Sequence, residues 1–101
     1  MQFRITAFDY TDKDALARRM EVRPRHLENI LRVMGNNKIL CAGGITNEAG
    51  VPVGSFLIMD FPSRERLDAY LATEPYITEK VWECVKVEPC NAVIVDNEMR
   101  K

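Results

Sequence analysis

The chain has 101 residues, enough for one domain with its own hydrophobic core but too few for two such domains. Hydrophobic residues make up 47% of the sequence and charged residues 29%, a composition typical of soluble globular proteins and not of disordered chains. The formal net charge is −1, which excludes a broad electrostatic attraction for nucleic acid or anionic membranes.

The first predicted elements are a strand and a helical region. Polar and apolar residues alternate over residues 3–7, the period of a strand that packs on one side. Residues 11–14 offer capping side chains for a helix. Pro24 is expected to divide the helical region into two segments, because proline lacks an N–H group. The apolar residues predicted to face the sheet from the second segment are Leu27, Ile30, Leu31 and Met34.

Three more strands and one more helix complete the predicted order. Strands are predicted over residues 38–41 and 53–61, separated by turn-forming residues. Ser63 is placed to cap the second helix, whose buried side chains are predicted to be Leu67, Tyr70 and Leu71. The last strand is predicted over residues 82–95, with a kink or bulge at Pro89, since proline cannot take part normally in a central ladder.

The order β-α-β-β-α-β predicts a ferredoxin-like α+β sandwich, a four-stranded antiparallel sheet with its helices on one face. We expect a single domain over residues 1–96 and a frayed charged tail over residues 97–101. Two helices cover only one sheet face, so the other is expected to form an interface or to border a ligand cavity. The apolar side chains predicted on or near that open face are Phe8, Phe56, Ile58 and Trp82.

RNA-recognition modules share this order of elements, but their signature strand carries aromatic and basic side chains that stack on bases and neutralise phosphates. The corresponding residues 54–60 contain one aromatic residue and no basic one. The strand therefore offers no platform for nucleic acid, and RNA binding is not expected.

The three cysteines, Cys41, Cys84 and Cys90, cannot all pair within one chain, and no CxxC pair occurs. A secreted disulfide framework is therefore not expected, and the thiols are predicted to be free, buried and unreactive in a reducing compartment. The N-terminus lacks the apolar core of a signal peptide, so a cytoplasmic location is expected. The cysteine spacing and the single histidine do not match a zinc site, so no metal site is predicted.

His26 is the only histidine, and histidine suits proton transfer because its charge changes near neutral pH. It lies at the edge of the predicted apolar stripe, where it either faces a cleft or is a helix residue without a role. Arg23 precedes the rigid Pro24 and is the candidate for binding an anion, although the neighbouring charges also fit an ion-paired surface. Gly43 and Gly44 follow a strand without a phosphate-loop motif, and they permit tight backbone geometry or the close approach of a ligand.

Several short segments occur in an order and spacing known from one family. Residues 22–27 follow the pattern V-R-x-x-H-L, residues 40–44 approach L-x-A-G-P, and residues 54–58 follow G-S-x-x-I. Residues 74–76 approach D-P-Y, and residues 81–89 approach an ending of the form V-x-V-K-P-F. Together, over nearly the whole chain, they resemble the YciI-like (YCII-related) proteins of bacteria.

The resemblance implies a homodimer in which two ferredoxin-like protomers join through their uncovered sheet faces into an α+β barrel, with pockets beside the core. Carried over residue by residue, the family's proposed site becomes His26, Glu74 and Ser55. The sequence departs from the pattern at two positions, because Glu74 replaces an aspartate and Gly44 a proline. The extra methylene of glutamate moves the carboxylate. Some similar proteins eliminate chloride from chlorinated hydroxyquinones.

The predicted function is that of a cofactor-free lyase or isomerase in which a neutral His26, oriented by Glu74, is the general base on a small polar or phenolic substrate. Ser55 or backbone N–H groups are expected to hold the developing oxyanion. The residues expected to bind the substrate are Arg23, Gly43, Gly44 and Tyr76. Two alternatives stay open: a non-catalytic dimeric metabolite-binding or accessory protein, slightly favoured by Glu74, and a cofactor-independent oxygenase.

Overall fold

The computed structural model describes residues 1–35 and 37–100. Its elements, in chain order, are β1 (Gln2–Asp9), α1 (Ala15–Val33), β2 (Lys38–Thr46), β3 (Pro52–Asp60), α2 (Arg64–Leu71), α3 (Pro75–Thr78), β4 (Trp82–Cys90), β5 (Ile94–Val95) and β6 (Glu98–Met99). The four long strands form one antiparallel sheet in the order β2-β3-β1-β4. This arrangement confirms the predicted ferredoxin-like α+β fold and adds the one-turn helix α3.

The core lies between the helices and one face of the sheet. The alternation in β1 is confirmed, since Phe3, Ile5 and Ala7 are all buried. Ile5 is paired with Leu57 of β3, and Phe3 with Met59, so these side chains share the covered face. The helices cover this face with apolar side chains that include Val22, Ile30, Leu67 and Tyr70.

Helix α1 is continuous through Pro24, so the predicted division into two segments is wrong. A proline inside a helix removes one backbone hydrogen bond and costs about 3 kcal/mol relative to alanine. The 19-residue helix tolerates this cost because its stability comes mainly from packing one face against the sheet.

The buried face of α1 also differs from the prediction. Leu27, Leu31 and Met34 are 39%, 68% and 45% exposed, and only Ile30 of the predicted stripe is buried. The residues that α1 buries are Ala15, Arg19, Val22, His26, Asn29 and Ile30. Half of these, Arg19, His26 and Asn29, are polar and are hydrogen-bonded to side chains outside α1. Apolar periodicity alone therefore indicates the wrong face.

The open face of the sheet carries Phe8, 49% exposed, and Phe56, 36% exposed, as predicted, and Ile58 is partly buried there. Trp82 was wrongly assigned to this face, because it is only 3% exposed and belongs to the core. The pairing of β1 with β4 shifts between Phe8 and Asp9, and Asp9 is the partner of Trp82. Such a bulge turns the following side chains to the other face of the sheet.

The cysteines are free, as expected, but they are not buried. Cys41 and Cys84 are exposed, and Cys90 is partly exposed. Cys41 pairs with Ile58 and Cys84 with Phe8, so both lie on the open face. Within the described residues, the helices cover only the opposite face of the sheet and leave these two thiols accessible.

The C-terminal part is less regular than predicted. Strand β4 ends at Cys90, and Pro89 lies within it, which is tolerated because β4 is an edge strand. β5 and β6 then form a small hairpin. The predicted frayed tail, residues 97–101, includes β6, while Lys101 lies outside the described residues. No helix within residues 1–35 and 37–100 is both long and apolar enough to cross a membrane.

Candidate functional site

A cavity of about 210 Å³ lies between α1 and strands β2 and β3. Six of the seven residues predicted for the site line it: Arg23, His26, Gly43, Gly44, Ser55 and Tyr76. The seventh, Glu74, is fully buried and binds His26. The fold thus brings together residues from α1, β2, β3 and the start of α3.

His26 and Glu74 form a buried pair in which the histidine Nδ1 is hydrogen-bonded to Glu74 Oε1. His26 is 7% exposed and Glu74 is 0% exposed. Glu74 is also the N-cap residue of α3, where its Oε1 accepts a hydrogen bond of 3.2 Å from the backbone N–H of Tyr76. The capping role explains why the carboxylate is held at this corner of the fold.

Tyr70 completes the coordination of the carboxylate, because its hydroxyl donates a hydrogen bond to Glu74 Oε2. Burial and the nearby carboxylate raise the pKa of the Tyr70 hydroxyl well above its ordinary value, so the donor keeps its proton. From the sequence alone, Tyr70 is expected only to pack in the core. Its spacing of four residues from Glu74 was the one signal that could have revealed the contact.

These contacts determine the hydrogen position on a neutral His26. A carboxylate only accepts hydrogen bonds, so the histidine nitrogen facing Glu74 carries the hydrogen. In the neutral ring, Nε2 then has a free lone pair. Within the described residues it has no hydrogen-bond partner and is not sealed from solvent, and His26 lines the cavity. This is the geometry of a general base oriented by a carboxylate.

A second buried network lies beside the first. Arg19 Nη1 donates to both carboxylate oxygens of Asp9, at 2.8 and 3.0 Å, and its Nη2 donates to Ser55 Oγ at 2.8 Å. Trp82 Nε1 donates to the same Ser55 oxygen at 3.1 Å. Burial raises the pKa of the Asp9 carboxyl, and the Arg19 guanidinium opposes that effect.

Arg19, Asp9 and Trp82 were not predicted as site residues. The signal for Arg19 was its position seven residues before His26, which places both on one face of a helix. Nothing in the sequence indicated that Asp9 would be its partner.

Tyr76 connects the two networks. Its ring is stacked on the His26 ring, with the centroids 3.9 Å apart and the planes within 8° of each other. The Arg19 guanidinium carbon lies 4.9 Å from the same ring, a cation–π distance. Burial raises the pKa of the Tyr76 hydroxyl, and the positive charges of Arg19 and Arg23 oppose that effect.

The two glycines differ in what they require. A Cβ added at Gly43 would lie 2.7 Å from Phe56 Cζ, so this glycine makes room for the aromatic ring on the open face. A Cβ at Gly44 would lie 3.8 Å from Arg19 Nη2, an ordinary contact, and would reduce the space beside the guanidinium.

Arg23 is exposed at the rim of the cavity and has no ion-pair partner in the part of the chain that is described.

The arrangement suits proton transfer to and from a small ligand. The cavity wall combines a base, His26 Nε2, with hydroxyl and guanidinium donors, which are the groups that stabilise a developing oxyanion. Across residues 1–35 and 37–100, no group of three or more histidine, cysteine, aspartate or glutamate side chains is placed to hold a metal ion.

Comparison with known proteins places the chain among small ferredoxin-like proteins. The family model of the YCII-related domain matches residues 1–91. The protein YciI of Escherichia coli O6:H1 is 33% identical over 86 residues, which span 79% of this chain and 88% of the relative.

Two solved structures show the same fold. The 5-chloro-2-hydroxyhydroquinone dehydrochlorinase of Burkholderia phenoliruptrix AC1100, in complex with 2,5-dihydroxybenzoquinone, has a TM-score of 0.77 at 22% identity, over 90% of this chain and 94% of that one. A dimeric ferredoxin-like protein of unknown function from Jannaschia sp. CCS1 has a TM-score of 0.54 at 14% identity, over 90% and 98%. These similarities confirm the predicted ferredoxin-like α+β fold.

Proposed function

Because the chain belongs to the YCII-related family, we propose that it processes a small molecule as a cofactor-free lyase or isomerase, with His26 as the general base. The observation that carries the proposal is the free Nε2 of His26 in the cavity, with Nδ1 bound to a fully buried carboxylate. When Nε2 takes a proton from the substrate, the imidazolium that forms is stabilised by Glu74.

The substrate we propose is a small polar or phenolic ring. A cavity of about 150 Å³ is sufficient for benzene, so the 210 Å³ here accommodate one substituted ring. Arg23 at the rim binds an acidic substituent, and Ser55 donates a hydrogen bond to the oxygen that gains charge. Similarity to the fold of a dehydrochlorinase that binds 2,5-dihydroxybenzoquinone supports this class of ligand.

The reaction begins with the transfer of a substrate proton to His26 Nε2. The electron pair left behind moves onto a conjugated oxygen, where the donors of the cavity stabilise it. In a lyase reaction the pair then expels a leaving group such as chloride. In an isomerase reaction His26 returns the proton to a different atom of the substrate.

Hydroxyquinols, with and without chlorine, test the proposal. Chloride release is followed with a chloride electrode, and exchange of ring hydrogens in D₂O is followed by NMR. We expect His26→Gln to lower the rate by about 10²-fold or more, the usual contribution of a general base. The control is Glu28→Gln on an exposed part of the same helix. Equal rates in wild type and His26→Gln would contradict the proposal, and binding without turnover would favour the metabolite-binding alternative.

We propose that the protein is a homodimer joined through the open sheet faces. Phe8 and Phe56 are exposed there, and their rings lie against Gly54 and Gly43, respectively. Flat apolar surfaces of this kind are typical of interfaces. Light scattering tests the dimer, with Phe56→Ser expected to weaken it. A wild-type protein that stays monomeric at high concentration would contradict it.

A further inference from the structure

The neighbours of Ser55 determine whether its hydroxyl donates a hydrogen bond to a ligand or accepts one from it. Its Oγ accepts one hydrogen bond from Arg19 Nη2, at 2.8 Å, and a second from Trp82 Nε1, at 3.1 Å. Guanidinium and indole N–H groups only donate, so both lone pairs of the hydroxyl are occupied. The hydroxyl hydrogen has no acceptor among the described residues, and Ser55 lines the cavity. Towards a ligand, Ser55 is therefore a hydrogen-bond donor and not an acceptor.

The Tyr76 hydroxyl is the second unused donor. The residue is only 1% exposed, yet within residues 1–35 and 37–100 its hydroxyl has no hydrogen-bond partner and is not sealed from solvent. Because the residue is otherwise buried and lines the cavity, the hydroxyl opens into that space. A hydroxyl that reaches the cavity without a partner from the protein can donate its hydrogen to a ligand.

The charges around this end of the cavity favour an anion. Arg19 lines the wall, with its charge balanced by Asp9. Arg23 adds a positive charge at the rim that has no ion-pair partner within residues 1–35 and 37–100. Glu74 lies behind the His26 ring, and its carboxylate accepts hydrogen bonds from three donors. A ligand oxygen at this end of the cavity contacts hydrogen-bond donors and positive charge. The two nearby carboxylates, Asp9 and Glu74, are already hydrogen-bonded to other groups of the protein.

We infer that the Ser55–Tyr76–Arg19 end of the cavity binds an ionised oxygen, so that the site takes weak oxygen acids such as phenols and enols as their conjugate bases. The inference rests on the site of the proposed function and specifies its ligand. On binding, the phenol O–H bond breaks, the electron pair stays on the oxygen, and the proton leaves to solvent. The preference for the ionised form comes from the hydrogen-bond donors of Ser55, Tyr76 and Arg19 and is independent of His26.

The probe we choose is 4-nitrophenol, because its anion and its neutral form have different absorption spectra. We expect the bound probe to be the anion at a pH where most of the free probe is neutral. The neutral 4-nitroanisole, of similar shape, is expected to bind at least tenfold more weakly. Equal affinity for the two compounds, or a bound probe that stays neutral, would overturn the inference.

Tyr76→Phe is the sharpest variant, since it removes a hydroxyl that has no partner among the described residues and leaves the stacked ring. A hydrogen bond to a charged group changes affinity by about tenfold or more, so we expect a loss of that size for the anion and none for 4-nitroanisole. Tyr10→Phe, outside the cavity, is the matched control. If Tyr76→Phe bound the anion as tightly as wild type, the Tyr76 hydroxyl would not be a donor to the ligand, and the inference about this end of the cavity would be wrong.

His26→Gln separates this inference from the proposed function. If the donors select the anion, the variant keeps the anion preference even though it loses turnover. A wild-type protein that binds the anion but transforms no substrate leaves the inference standing and contradicts the proposed function. Turnover without any preference for the anion would overturn the inference and leave the proposed function standing.

Discussion

Replacing Tyr70 by phenylalanine tests how firmly the buried carboxylate is held. The hydroxyl of Tyr70, which is 4% exposed, donates to Glu74 Oε2, and Glu74 is fully buried. The substitution removes that donor and keeps the ring, so it leaves one carboxylate oxygen short of a partner. A hydrogen bond to a charged group contributes about 1.5–3 kcal/mol, and we expect the free energy of unfolding to fall by that amount.

The expected loss is measured by urea denaturation. Trp82, the single tryptophan, is buried in the core and reports unfolding by its fluorescence. In a domain of this size the loss lowers Tm by roughly 6–24 °C, at about 4–8 °C per kcal/mol. Tyr10→Phe is the control, because the Tyr10 hydroxyl makes no hydrogen bond within the described part of the chain.

The same variant has a second readout at His26. With one partner of Glu74 gone, the carboxylate is less well oriented, and we expect a smaller fraction of His26 with its hydrogen on Nδ1. Nitrogen NMR of the ring measures that fraction directly. A Tyr70→Phe protein within about 0.5 kcal/mol of wild type, the range of ordinary surface substitutions, and with an unchanged tautomer would refute the reasoning.

Three other substitutions test different parts of the structure. Glu74→Gln is expected to cost about 1–3 kcal/mol in urea unfolding, because the amide nitrogen must face one of the donors around it; an unchanged midpoint would argue against the buried carboxylate. Gly44→Val is expected to block 4-nitrophenol binding without lowering Tm, since its side chain fills the space beside Arg19; retained binding would show that the ligand lies elsewhere. The Arg18 guanidinium lowers the pKa of Asp12 from 3.8 to about 2, so this pair adds stability above pH 3.8 that is lost as the pH falls through about 2. The difference in urea midpoint between wild type and Asp12→Asn should therefore be present at neutral pH and vanish in strong acid, and a difference that grows in acid would contradict the assignment.

Local patterns determined the fold. Alternation in β1, the cap at Ser63 and the order of the elements follow from interactions between residues close in sequence, and they were predicted correctly. Ser63 accepts the backbone N–H of Arg66, as a capping residue does. Short family motifs, in their order along the chain, predicted that His26, Glu74 and Ser55 belong to one site. In the structure, His26 and Ser55 line one cavity and Glu74 binds His26.

Long-range packing decided the rest. A bulge between Phe8 and Asp9 turned Trp82 into the core, and α1 continues through Pro24 as one helix packed on the sheet. Arg19 and Tyr70 look like ordinary surface and core residues in the sequence. Their roles depend on partners such as Ser55, 36 positions from Arg19. Sequence periodicity detects apolar side chains that avoid water, whereas a buried polar side chain is stable only beside its partner, and only the tertiary structure specifies that partner.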